Sequence, residues 1–151
     1  MDETVYNLQL KSKTDRGKDI YNFESADGVA SKNSFRKSEL ALADNLNPKL
    51  NDDLLIVQTG YGFLPVIMAD KAPKGKTLAA ETSDRAYQLT KTNLKKNNIQ
   101  NATAQKTAFY NELEQKFNKI IYAPKSYTPV KIVENRISNL IPLLKTKENF
   151  S

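Results

Sequence analysis

Two glycines and an acid lie at a spacing that suits a nucleoside-binding pocket. Gly60 and Gly62 follow the apolar run at 54–57, and Glu81 ends the next apolar run. Glycines between a strand and a helix let backbone N–H groups approach a ligand closely. An acid about 20 residues further on can accept hydrogen bonds from both hydroxyls of a ribose. Together they predict a pocket for an adenosine-containing cofactor, although Gly60-Tyr61-Gly62 alone would indicate only a tight turn and Glu81 alone a solvated strand end.

The segments around these residues alternate between strands and helices. The run Leu54-Leu55-Ile56-Val57 is short and wholly apolar, as is typical of a parallel strand buried on both faces. Ser83 is expected to cap a helix that ends at Asn97-Asn98. The predicted elements are a strand at 54–57, a helix at 63–69, a strand at 77–81, the helix from Ser83 to Asn97-Asn98, strands at 102–104 and 119–122, and a final helix from 130. Helical crossovers between strands require a parallel sheet, so the fold class is α/β.

The N-terminal part has a different pattern. Residues 5–10 and 19–23 alternate apolar and polar positions, with the turn-forming Thr14-Asp15-Arg16-Gly17 between them, which predicts a β-hairpin. A helix is expected at about 34–46, capped by Ser34 and ended by Asn47-Pro48. We therefore expect a hairpin extension over 1–30 and an α/β domain over 31–151.

The last helix and the last strand both carry apolar surface that another part of the structure is expected to cover. Six apolar residues from the final helix fall on one stripe, and Pro142 predicts that the last turn is irregular; they are Val130, Val133, Ile137, Leu140, Ile141 and Leu144. The strand at 119–122 would form an open apolar edge through Ile120 and Ile121, and such edges invite pairing. We expect the hairpin, a second copy of the chain or an additional C-terminal region to cover it.

The amino-acid composition excludes several kinds of catalysis and binding site. The chain lacks Cys and His, which excludes disulfides, thiolate and Ser-His-Asp catalysis and zinc sites built on those ligands, so no metal is expected. No run reaches the roughly 20 apolar residues of a membrane span, which predicts a cytoplasmic protein without a membrane partner. The net charge of +6 makes a polyanionic partner such as RNA plausible, but solvated lysines on helix faces give the same charge and are the commoner cause.

With these residues in view, the stretch from about Leu54 to Leu144 resembles the small-domain methyltransferases that modify guanine in ribosomal RNA with S-adenosylmethionine. The resemblance implies a Rossmann-like methyltransferase fold, in which a mostly parallel sheet has helices on both faces. An N-terminal hairpin would precede this fold, and the last strands of the sheet would be missing. It implies RNA as partner and S-adenosylmethionine as cofactor. The implied cofactor-binding residues are Gln58, Thr59, Gly60, Gly62, Glu81, Thr82 and Ala108, and the implied substrate-binding residues are Tyr122, Pro124, Lys125 and Tyr127.

This sequence departs from that family at several functional positions. Where the family has an acid and a further glycine in the first motif, this chain has Ile56 and Gln58, and the acid after the third strand falls near Ala108. The asparagine that accepts from the target amine is replaced by Ala123, and Lys125 follows. The non-catalytic copy found in tandem members of the family resembles this pattern more closely.

Two functional hypotheses therefore stay open. One is a methyltransferase that transfers a methyl group directly to an amine of a nucleic-acid base, which needs neither metal nor covalent intermediate. The other is a catalytically inactive methyltransferase-like module that binds RNA or a partner protein. A nicotinamide-dependent enzyme is disfavoured because Pro65 occupies the place of the third glycine in G-x-G-x-x-G.

Overall fold

A computed structural model describes residues 5–11, 20–26, 37–58, 60–107, 109–122 and 128–145. Strands and helices alternate from the middle of the chain onward, as the hydrophobic pattern predicts. The elements are β1 (Val5–Lys11), β2 (Ile20–Ala26), α1 (Lys37–Asn45), β3 (Leu54–Val57), α2 (Phe63–Lys71), β4 (Thr77–Glu81), α3 (Asp84–Lys96), β5 (Ala102–Lys106), β6 (Lys119–Tyr122) and α4 (Val130–Leu140). Ser34, the expected cap of the first helix, lies outside the described residues.

Four strands form one parallel sheet in the order β5-β4-β3-β6, which confirms the α/β class. Every residue of β3 is buried. Leu54 and Ile56 belong to the core on one face, while Leu55 and Val57 belong to the core on the other. The continuous apolar run therefore has the physical cause inferred from the sequence, because helical layers cover both faces of a central parallel strand.

Each face of the sheet has its own layer. The first layer contains α1, α2, α3 and the hairpin, whose buried aromatic residues join the core around Ile56. The second contains α4 and two 3₁₀ turns, Tyr110–Glu112 and Ile141–Leu143. Ser83 caps α3 as predicted, since its hydroxyl accepts from the backbone N–H of Ala86 at 3.0 Å.

The hairpin packs on α3, and the prediction that it covers β6 is wrong. β1 and β2 pair antiparallel as a separate two-stranded sheet. Phe23 on β2 lies against two aromatic rings, Tyr61 and Phe63, with ring centroids 5.9 and 5.4 Å apart. This aromatic contact draws the hairpin to the glycine turn. Within the described residues β6 pairs only with β3, and cover of its free edge by a second copy or a further C-terminal region stays a prediction.

Asn93 in α3 and Asn97, which caps the end of α3, hold the outer edge of β2. The Asn93 carboxamide exchanges two hydrogen bonds with the backbone of Glu24, at 2.7 and 2.8 Å. Asn97 makes the same pair of bonds with Asn22, at 3.0 and 2.8 Å. Four helical residues rise ~6 Å and two strand residues advance ~6.7 Å, so the two spacings match. The two carboxamides thus replace a neighbouring strand.

The final helix departs from its sequence prediction. Of the apolar stripe, Leu140 is buried, but Val130, Ile137 and Ile141 are 71%, 44% and 59% exposed. The helix ends at Leu140, and the irregular turn expected at Pro142 is the second 3₁₀ turn. Amphipathic periodicity gives the stripe but not the direction in which it faces. None of the described helices, α4 included, is long and apolar enough to cross a membrane.

Two aspartates organise the amino-terminal edge of the sheet. The buried carboxylate of Asp52 accepts hydrogen bonds from the backbone N–H of Lys49, at 2.8 Å, and from the ammonium group of Lys119. Asp53 accepts from the backbone N–H of Lys76 at 2.9 Å and from the ammonium group of Lys145 at 3.2 Å. These bonds tie together the starts of β3, β4 and β6.

We predict that Asn93→Ala lowers the free energy of unfolding by about 2–4 kcal/mol, because it leaves buried backbone groups of β2 and the glycine turn without partners. Denaturant unfolding measures the change. Gln88→Ala, at an exposed position of the same helix, is the matched control and should stay close to wild type. Equal stability of the two variants would contradict the role of Asn93 as an anchor.

The Asp52 contacts make stability depend on acid pH. Burial raises the pKa of Asp52, but the hydrogen bonds from Lys119 and Lys49 outweigh it and hold the pKa below its usual value. The stabilisation is therefore complete above about pH 4, the unfolded pKa of an aspartate, and is lost as pH falls through the folded pKa.

We accordingly predict that Asp52→Asn lowers the free energy of unfolding by about 1–3 kcal/mol at pH 7, since a charged hydrogen bond is lost. The difference from wild type should shrink as the pH falls below about 4, where the wild-type carboxylate becomes protonated. Urea unfolding of both proteins between pH 7 and pH 3 measures it. A difference that is constant with pH would exclude the ionised carboxylate as the cause.

Candidate functional site

Three residues in the left-handed backbone region shape the turn after β3. Gln58, Gly60 and Gly62 have φ values of 56°, 81° and 93°. Gln58 continues the sheet by one bond, from its N–H to the carbonyl of Ala80 at 3.1 Å. The turn leads directly into α2, as the glycine spacing predicts. Thr59 lies outside the described residues.

The need for glycine at position 62 comes from packing against α3. A Cβ atom on Gly62 would lie 3.0 Å from the Cα of Thr90 and 3.1 Å from its Cγ2. Sequence reasoning attributed both glycines to the approach of a ligand. At Gly62 the close neighbour is α3, so this glycine first sets the distance between the turn and the helix.

The end of β4 lies beside this turn. Glu81 is the last residue of β4 and is 2% exposed. Its carbonyl accepts from the backbone N–H of Thr107 at 2.9 Å, which extends the sheet towards the segment after β5. Thr82 follows at an exposed position. The acid predicted at the tip of the second strand of the domain is therefore at that tip, and its role towards a ribose stays a prediction.

A cavity of about 380 Å³ opens at this carboxyl edge of the sheet. It brings together the ends of β3 and β4, the segment after β5 and one face of α4. The described residues that line it are Gln58, Thr82, Phe109, Tyr110, Lys131, Ile132, Asn135, Arg136 and Asn139. Two predicted cofactor residues, Gln58 and Thr82, thus share a wall with residues that lie 27 to 81 positions further along the chain. Ligand sites of α/β sheets lie at this edge.

Tyr110 and Arg136 are polar groups of the cavity that the sequence did not indicate. The Tyr110 hydroxyl is buried and has no hydrogen-bond partner among the described residues, although the Gln58 carboxamide lies near it. Burial raises the pKa of Tyr110 to about 12; the cation of Arg136 opposes the increase, and the charge of Glu81 adds to it. The hydroxyl therefore keeps its proton at neutral pH.

The acceptor side of the predicted site is described only at Tyr122. This residue ends β6, and its hydroxyl accepts a hydrogen bond from the Arg136 guanidinium at 3.0 Å. The contact joins β6 to α4 next to the cavity. Pro124, Lys125 and Tyr127, together with Ala108 of the predicted cofactor set, lie outside the described residues. Nothing in the sequence pattern indicated that Tyr122 would pair with an arginine 14 residues away.

We predict that Gly62→Ala destabilises the fold by about 1–3 kcal/mol, because a Cβ atom is strained at positive φ and meets Thr90. The double variant Gly62→Ala with Thr90→Ala serves as the control. It should not recover wild-type stability, since the contact with the Thr90 backbone and the strained φ both remain. Thermal unfolding followed by circular dichroism measures both variants, and full recovery in the double variant would leave the side-chain contact as the only cause.

Solved structures with the same fold include several methyltransferases. Precorrin-6y C5,15-methyltransferase from Geobacter metallireducens superposes with a TM-score of 0.65 at 15% identity, over 82% of this chain and 63% of that one. TYW2 from M. jannaschii, crystallised with AdoMet, superposes with a TM-score of 0.67 at 16% identity, over 95% of this chain and 58% of that one. The ribosomal protein L11 methylase from Lactobacillus delbrueckii superposes with a TM-score of 0.56 at 22% identity, over 71% of this chain and 52% of that one. These identities show a shared fold.

The chain thus spans between 52% and 63% of the length of these three proteins. The methyltransferase small domain family matches residues 20–142, a range that starts at β2 and includes the whole parallel sheet and α4. The expected Rossmann-like methyltransferase fold is confirmed. Since this match covers most of the sequence, the chain belongs to the methyltransferase small domain family.

Proposed function

We propose that this chain binds S-adenosylmethionine and acts as a methyltransferase on an amine of a nucleic-acid base, in RNA. The observation that carries the proposal is the cavity at the carboxyl edge of β3 and β4, in a chain of the methyltransferase small domain family. Its volume of about 380 Å³ lies in the range of small-molecule sites.

The residues present suit a polar, nucleoside-containing cofactor. Gln58 and Thr82 offer amide and hydroxyl groups on the cavity wall, and the exposed ring of Phe109 offers an apolar surface. The Tyr110 hydroxyl is a buried donor that lacks a partner among the described residues, and a polar ligand would supply one. Glu81, at the tip of β4, is proposed to accept from the ribose, and the turn at Gly60 to bring backbone groups close.

The bound cofactor would supply a methyl group on a sulfonium centre, which leaves the protein the task of positioning. Tyr122 ends β6 on the side where the acceptor is proposed to lie. Pro124, Lys125 and Tyr127 follow it in sequence, and Lys125 together with the net charge of +6 supports a polyanionic acceptor. Holding an amine in line with the methyl group needs only orientation and desolvation.

A second candidate is an inactive methyltransferase-like module that binds RNA or a partner protein. Ala123 favours it, because a methyl side chain cannot accept a hydrogen bond from an amine. Both candidates keep the fold and the basic surface, and they differ in cofactor binding and turnover.

Calorimetric titration with S-adenosylmethionine and with its demethylated product separates these candidates. We predict binding at micromolar ligand and a loss of about 1–3 kcal/mol in Glu81→Gln, the cost of losing hydrogen bonds to a carboxylate. Glu114→Gln, an exposed acid, is the control and should bind as wild type does. The absence of binding heat at millimolar ligand would favour the inactive module. Unchanged affinity in Glu81→Gln would mean that the ribose binds elsewhere.

A further inference from the structure

The cavity wall formed by α4 is positively charged. Lys131 and Arg136 contribute two cations, and the described residues that line the cavity include no carboxylate. Neither cation forms an ion pair with a described residue. Arg136 uses one guanidinium N–H on the Tyr122 hydroxyl, at 3.0 Å, and an arginine has five such donors. The helix therefore presents donors and positive charge without a matching carboxylate among the described lining residues.

Tyr110 adds a neutral donor to the same place. It is 4% exposed and lines the cavity, and its hydroxyl lies near the Gln58 carboxamide without a regular hydrogen bond to any described residue. The cation of Arg136 acts on its ionisation, so the two groups lie within electrostatic reach of each other. Because its raised pKa of about 12 keeps the proton on the oxygen, Tyr110 can donate to an anionic acceptor at neutral pH.

We infer that Arg136 and Tyr110 bind the carboxylate of the cofactor's amino-acid end, and so determine the cofactor's orientation in the cavity. The inference rests on the proposed function. A carboxylate has about four lone-pair sites, which lets it accept from the guanidinium and the hydroxyl at once. It also supplies the negative charge that this wall lacks. Glu81, whose charge also acts on Tyr110, lies at the end of β4 and is the carboxylate already proposed for the ribose.

The test compares two ligands that differ only in this carboxylate: S-adenosylmethionine and its decarboxylated form. Wild-type protein should bind the carboxylate-bearing ligand at least roughly tenfold more tightly, as expected for charged hydrogen bonds. Arg136→Gln should remove most of this preference, and Tyr110→Phe should reduce it by about threefold or more. Both variants should bind the decarboxylated ligand much as wild type does, a pattern that a general loss of structure would not give.

Two controls make the result decisive. Lys131→Gln removes an equal charge from the same wall and should keep the preference, which separates a specific contact from the general potential. Tyr110→Phe should be as stable as wild type or more so without ligand, because the hydroxyl it removes has no partner among the described residues. If Arg136→Gln does not fold, Arg136→Lys replaces it and should weaken the preference, since the ammonium group cannot bind in the bidentate manner of arginine.

The outcomes separate the inference from the function on which it rests. If wild type binds neither ligand, the proposed function fails. If wild type binds both equally, or if Arg136→Gln and Tyr110→Phe keep the full preference, the cofactor binds but its carboxylate lies elsewhere, which overturns the inference alone. Loss of the preference in both variants with retention in Lys131→Gln supports it.

Discussion

The carboxamide of Asn93 connects three segments on which the site depends. It is fully buried, exchanges two hydrogen bonds with β2 at Glu24, and donates to the carbonyl of Tyr61 between the two glycines at 2.6 Å. The turn after β3 must leave the regular ladder, so its carbonyl needs a partner from outside the sheet. Asn93 provides it, and by the same group fixes the hairpin.

This arrangement explains why the hairpin lies on α3 and not along the open edge of the sheet. A strand needs backbone partners on its outer edge and an apolar surface on its inner face. Asn93 and Asn97 meet the first requirement for β2, and the rings of Tyr61 and Phe63 meet the second for Phe23. The hairpin thus supports the glycine turn from behind.

The cavity owes its charge to the orientation of α4. Lys131, Asn135 and Asn139 recur at a spacing of four residues on the face that lines the cavity, while Val130 and Ile137 are exposed. A helix that turns polar groups towards the sheet edge gives up apolar burial, which is the usual source of helical stability. In return it places cations and carboxamides over the strand ends, where they can recognise a ligand. The contact from Arg136 to Tyr122 secures this orientation.

Local patterns in the sequence were sufficient for the elements, their order and the fold class. The apolar run of β3, the Ser83 cap and Glu81 at a strand tip depend on neighbours a few residues away, and periodicity and capping chemistry report such neighbours. Only the tertiary structure decided what each group meets across the chain. It placed Gly62 against Thr90, paired α3 with the hairpin, left most of the apolar stripe of α4 exposed and brought Tyr110 within electrostatic reach of Arg136 beside Gln58. These pairs link residues 26 to 75 positions apart, and their pairing depends on how layers pack, which no local period encodes.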